Sequence, residues 1–152
     1  MFLFGSCVGV SYERAFLAKY EFEDFSQFKG VDMAFRGTDK HGNLGVFGYA
    51  PQLINDYSKV GYYILILDRE NYQVIETRLA RTEFSADTIK LQLLARTFIE
   101  YEIPRLKVDT QGNVFVYLKN FETLALARFA DSDLPKYPHK WVEIGNNWYK
   151  PK

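Results

Sequence analysis

Catalytic and metal sites are mostly built from histidine and cysteine, and this chain has little of either: two histidines and one cysteine in 152 residues. The single Cys7 excludes an intramolecular disulfide and any metal site built on paired cysteines. Two histidines and one cysteine at no motif spacing also fall short of a zinc ligand set. His41 falls in a turn-rich cluster and His139 follows Pro138 in a loop. Histidine is the usual general base, but at such places an exposed imidazole commonly has no role. Charge of one sign is lacking too. Lys plus Arg and Asp plus Glu number 19 each, so no net field steers the chain towards nucleic acid or an acidic membrane surface. No basic cluster supplies one locally. No apolar run approaches the roughly 20 residues that span a bilayer.

Motifs are equally scarce. The nucleophile elbow G-x-S-x-G is absent. Gly42, Gly45 and Gly48 make a GxxGxxG that is neither the dinucleotide fingerprint nor a phosphate loop, and they serve turns and close strand packing. Asp109, Gln111 and Asn113 alternate as in a calcium loop but lack its length and its terminal Glu, and a plain turn accounts for each of them. Glu21, Glu23 and Asp24 sit on alternate faces of a segment read as a strand, where they cannot converge on one ion. No catalytic residue, metal ligand or cofactor is assigned.

What the chain does have is aromatic residues and turns. Thirteen Phe, eleven Tyr and two Trp make up 17% of it, within a hydrophobic content of 47% that suits one globular domain. The stretch Ser85 to Ile103 is the longest that can be one element. Its Leu, Lys, Gln, Ala, Arg and Glu are good helix formers, Ser85 is a candidate N-cap, and Pro104 forbids continuation. Leu91, Leu94, Ala95, Phe98 and Tyr101 fall on one face, with Ile89 and Leu93 beside it. The same residues alternate as a half-buried strand would, but 19 residues is far beyond the usual strand of about 5 to 6.

Elsewhere short strands flank turn clusters. Val31 to Thr38 and Leu44 to Ala50 flank DKHGN, Gly61 to Leu67 and Tyr72 to Leu79 flank DREN, and Arg105 to Val108 and Val114 to Leu118 flank DTQGN. Trp141 to Ile144 and Trp148 to Lys150 flank Gly145-Asn146-Asn147. Ser11 to Lys29 reads as a strand and a turn, Phe121 to Phe129 as a strand, and Pro51 to Lys59 and Asp131 to His139 as loops. The similar turns do not mark an internal repeat, because the flanking strands do not repeat. The fold expected is α+β: an antiparallel sheet of short hairpin-connected strands packed against one main helix at about 85–102. The alternative is an all-β sandwich or barrel. Residues 11–152 form a single domain in this reading. Its core is predicted from Phe35, Val46, Phe47, Ile64, Ile66, Val74, Leu91, Leu94, Phe98, Leu106, Val108, Phe115, Tyr117 and Leu126.

Residues 1–10 stand apart. Phe4-Gly5-Ser6-Cys7, small residues leading into a cysteine after an apolar start, resembles the lipobox at the end of a bacterial lipoprotein leader. The resemblance implies a lipid on Cys7, a true start upstream of Met1, and a place in the cell envelope. The other reading is a buried N-terminal strand in which Cys7 is a small hydrophobe, and then a cytoplasmic protein.

Tyr62, Tyr63, Tyr72, Trp141, Trp148 and Tyr149 are the candidate ligand or partner surface, since such rings stack on flat apolar faces and anchor partners. They would otherwise seal a sheet face that lacks helix cover. The functional expectation is a non-enzymatic, envelope-associated protein that binds a protein or a small ligand. A cytoplasmic protein that regulates a partner is the alternative, and an enzyme using carboxylates such as Asp39 or Asp109 comes third.

Overall fold

Three hairpin loops with the same aspartate device set the sheet. The computed structural model describes residues 11–49, 62–79, 88–130 and 138–152. Strand β1 (Val31–Thr38) turns into β2 (Leu44–Tyr49) through Asp39, whose Oδ1 accepts from the backbone N–H of His41 and Asn43 at 2.8 and 2.9 Å. Strand β5 (Arg105–Val108) turns into β6 (Val114–Tyr117) through Asp109, which accepts from Gln111 N–H and Asn113 N–H at 3.0 and 2.8 Å. Both loops place glycine in the left-handed region, Gly42 at φ 83° and Gly112 at φ 96°, where a side chain is disfavoured. Between β3 (Tyr62–Leu67) and β4 (Val74–Leu79), Asp68 does the same for Glu70 and Asn71, but the left-handed residue is Tyr72 at φ 57°.

The strands pair antiparallel in the order β4-β3-β2-β1-β5-β6-β7-β9-β8, with β7 at Leu126–Arg128, β8 at Trp141–Gly145 and β9 at Trp148–Pro151. The β8–β9 turn carries Asn146 and Asn147 at φ 50° and 63°, the conformation a tight two-residue hairpin requires. The hairpin-connected antiparallel sheet is therefore as expected. Its proportions are not those of an α+β domain built on one main helix. Nine strands and two helices are present among the described residues, and the all-β alternative fits that balance better. The sheet is open rather than closed into a barrel, with β4 and β8 at its edges.

Helix α1 (Tyr12–Tyr20) replaces the strand expected over Ser11 to Lys29. Ser11 Oγ caps it by accepting from Arg14 N–H at 3.3 Å, Glu13 lies in the first turn and Lys19 in the last, all favourable to a helix. The partial alternation from Ala15 to Phe22 misled because Phe16 and Tyr20 are four apart and stack on each other with centroids 5.1 Å apart. A short 3₁₀ turn at Ser26–Phe28 then leads into β1.

Helix α2 (Thr88–Glu100) is the principal helix of the sequence reading, shorter than 85–102, and residues 85–87 lie outside those described. It ends as Glu102 turns left-handed at φ 54°, ahead of Pro104. Leu91, Leu94, Ala95, Phe98 and Tyr101 are all buried as expected, while Ile89 and Leu93 stay 73% and 57% exposed. The helix lies against β1, β3 and β4.

That contact sets which face of β1, β3 and β4 is core. Leu106, Val108, Val46 and Leu126 are buried as predicted, but Ile64 is 38% exposed, Ile66, Phe35, Phe47, Phe115, Tyr117 and Val74 are only half-buried, and the inward residues are Tyr63, Leu65, Leu67, Val114 and Val116. β3 reads YYILIL and β6 VFVY; both faces of each are apolar, so alternation cannot choose between them. A shift of one residue exchanges the faces entirely. The outer face carries Arg105, paired with Asp32 at 2.8 and 2.6 Å and lying 4.7 Å over the Tyr117 ring. The Asp32 hydrogen bonds hold the Arg105 guanidinium more firmly charged than an ordinary arginine.

Candidate functional site

At one end of the sheet α1 stands away from the strands and leaves a cleft of about 1040 Å³. Its wall is the face of α1 that carries Tyr12, Ala15, Phe16, Lys19 and Tyr20. Its floor is Phe35, Gly37 and Thr38 from β1, Leu44 from β2 and Leu118 beyond β6. Tyr101, Glu102 and Ile103 close one side where α2 ends, and Gly42, Arg69 and Tyr72 of two hairpin loops form the rim. The sequence builds this opening locally. Phe16 and Tyr20 point α1 at the sheet, and the left-handed turns at Glu102 and Tyr72 bring their loops to it. Non-glycine residues in that region cost about 1 to 3 kcal/mol each and tend to gather at functional sites.

The cleft is polarised. Tyr20 donates its hydroxyl to Glu100 O at 3.3 Å, and Tyr101 donates to Glu23 Oε1 at 3.2 Å. Burial, then the carboxylates Glu102, Glu23 and Glu100, push the Tyr20 hydroxyl pKa up. Burial and Glu23 push that of Tyr101 up much further. Both therefore remain protonated donors, and their end of the cleft is negative. At the rim the Arg69 side chain lies on the backbone of Gly42, where a Cβ would come within 3.1 Å of Nη1. Neither Arg69 nor Lys19 has an ion pair or hydrogen bond among the described residues.

The six residues singled out from the sequence do not form one surface. Cys7 lies outside the described residues, as does the side chain of Tyr62. Tyr63 and Trp148 are 1% and 0% exposed, core residues with no ring face to offer. Trp141 and Tyr149 meet on the outer face, each 5.3 Å from the Phe129 ring, which also meets Phe115 at 6.3 Å. Among those whose side chains are described, only Tyr72 reaches the cleft. The other cleft residues were missed because the α1 wall was read as a strand and no spacing rule joins α1 to the loops at 69–72 and 101–103.

Asp39 and Asp109 are consumed by their loops. Asp39 Oδ2 accepts from Asn43 Nδ2 at 3.1 Å and Asp109 Oδ2 from Asn113 Nδ2 at 2.8 Å. They also lie at opposite ends of the β1–β5 pair, since Asp109 follows Val108, the partner of Val31, whereas Asp39 follows Thr38. Partial desolvation works against the Asp39 carboxylate, but the Asn43 and His41 hydrogen bonds prevail and hold it below the usual carboxylate range. His41 and His139 are both exposed. Among the described residues no three of His, Cys, Asp and Glu gather as a metal site, and no helix is long and apolar enough to cross a membrane.

Comparison of the chain with protein-family models, with curated proteins and with solved structures gives no match.

Proposed function

We propose that this protein is a non-enzymatic binding protein whose ligand enters the cleft between α1 and the sheet. One observation carries this reading. The cleft has the volume of ligand sites, roughly 300 to 1,000 Å³, with aromatic walls and a few converging polar groups. The titratable tyrosines at its closed side are hydrogen-bond donors held in place by Glu100 and Glu23, which suits recognition. Chemical-shift mapping with a panel of small amphiphiles tests it. Saturable shifts at Phe16, Leu44, Tyr72 and Tyr101 are expected, and their absence across a broad panel would sink the reading.

The outer face supports a second reading, a protein partner docked on Phe129, Trp141 and Tyr149, whose rings cluster on a sheet face that neither described helix covers. Shifts confined to those residues on adding cell extract, with the cleft silent, would favour it. Envelope attachment through Cys7 is a separate part of the proposal. Incorporation of labelled palmitate by the cellular protein, lost in Cys7→Ser, is the expected result; a stop codon in frame just upstream of Met1 would reject the leader. Without the lipid, the binding reading applies to a cytoplasmic protein.

A further inference from the structure

We infer that the ligand of this cleft is a small aromatic anion, an aryl carboxylate or sulfonate, with its charged group at Arg69 and its ring between α1 and the sheet; this rests on the binding reading above. The charge layout of the cleft argues for it. At one end Glu102 lines the wall, Glu23 Oε1 accepts from Tyr101, and the Glu100 charge lies near Tyr20, whose hydroxyl donates to the Glu100 backbone carbonyl. An anion there would meet carboxylates, and like charges close together are disfavoured. Arg69, on the β3–β4 loop, lines the rim, and Lys19 lines the cleft on α1 next to Tyr20; neither cation has a partner among the described residues. A guanidinium offers a planar fork of donors that fits a carboxylate or sulfonate with two parallel hydrogen bonds.

Arg69 is also positioned. Its side chain rests on Gly42, whose left-handed φ of 83° and missing Cβ leave the room it occupies. This ordering is achieved without an anion from among the described residues. The cleft surface is aromatic as well, with Phe16 on the α1 wall, Phe35 on the floor and Tyr72 on the same loop as Arg69. A flat apolar body is what such walls accept. A cation entering past the rim would meet Arg69.

Two fluorescent probes separate the anion from the apolar body: 8-anilinonaphthalene-1-sulfonate, and N-phenyl-1-naphthylamine, which has the same ring system without the sulfonate. The sulfonate probe should bind about tenfold more tightly, the scale of one charge-assisted hydrogen bond, and its advantage should shrink at high salt. Arg69→Gln should remove most of that advantage while leaving the neutral probe unchanged. Gly42→Ala, which crowds the Arg69 seat, should act in the same direction. Ala15→Trp, on an exposed position of α1 that lines the cleft, should block both probes with the circular dichroism of the native protein retained. Equal affinity for the two probes, both blocked by Ala15→Trp, would overturn the anion but leave the binding reading standing. A sulfonate preference that survives Arg69→Gln combined with Lys19→Gln would also overturn it. Binding of both probes unaffected by Ala15→Trp would remove the cleft, and with it both readings.

Discussion

Helix α1 leans on two aromatic regions, and one is closed while the other is open. Phe16 belongs to both: its ring meets Trp148 edge-on at 5.9 Å, and it also lines the cleft. On the closed side Trp148 donates its Nε1–H to Glu21 O at 3.0 Å, and Arg128 lies 5.1 Å over the rings of both Trp148 and Phe25. Arg128 also donates to Glu21 O at 3.4 Å, and burial lowers its pKa below that of an ordinary arginine. On the open side tyrosines and phenylalanines are just as dense, but Arg69 and Lys19 remain without partners among the described residues. Aromatic content does not distinguish the closed region from the open one. Whether the chain satisfies its own polar groups there does.

The contrast is broken most severely at Trp148. Trp148→Ala should cost about 3 to 5 kcal/mol, as loss of a fully buried large aromatic does, and urea denaturation reads it directly. Because Trp148 ties α1 through Glu21 to β9, the cleft wall should loosen as well. A small loss would mean that α1 is held by its cleft side, against the arrangement described. Next comes Arg128→Met, which keeps the apolar stem but removes a half-buried cation from two rings. About 1 to 2 kcal/mol is expected for a desolvated cation over aromatic faces, measured in the same denaturation series; no change would show the Arg128 charge to be incidental.

Alkaline pH should weaken the tyrosine side. Tyr20, Tyr63 and Tyr101 all have pKa values raised in the folded protein, chiefly by burial. Below the unfolded value of about 10 both states keep the proton and stability is complete. Above it the unfolded chain ionises first, so stability falls as pH rises towards the folded values. The urea midpoint should therefore drop from about pH 10 upwards. Tyr101→Phe should flatten that drop and cost about 1 kcal/mol at neutral pH by losing the bond to Glu23. An unaltered slope would assign the effect to other groups.

Turn chemistry was the most legible part of this sequence, because Asp, Gly and Asn at fixed offsets demand particular backbone conformations. Asp39 to Asn43 and Asp109 to Asn113 form loops with matching hydrogen bonds, and the strands on both sides follow. The inward face of α2 was legible for a similar reason, since Leu91, Leu94 and Phe98 share only one helical face. The strand faces of β3 and β6 were not, because their sequences are apolar on both sides; for β3 the choice comes from α2, which follows it by about twenty residues. Helix α1 was hidden by its shortness: nine residues hold only about two and a half turns of pattern. The cleft was illegible for the deepest reason, as it joins α1, two loops and the end of α2, and no local rule places Arg69 beside Gly42.

The smallest expected effect is the most informative about the open side. Arg69→Gln should leave stability within about 0.5 kcal/mol, as exposed substitutions away from caps and networks usually do. Arg69 is exposed, has no ion pair among the described residues, and lies on Gly42 with its guanidinium and Cδ, a contact that glutamine partly retains. The loop's own closure rests on Asp68, which accepts from Glu70 and Asn71, and on the Asp68–Gln73 backbone pairing. A thermal midpoint unchanged from the parent would mean that Arg69 contributes nothing to the fold. A marked fall would instead give it a structural role like that of Arg128, and the difference between the two sides of α1 would then be one of degree.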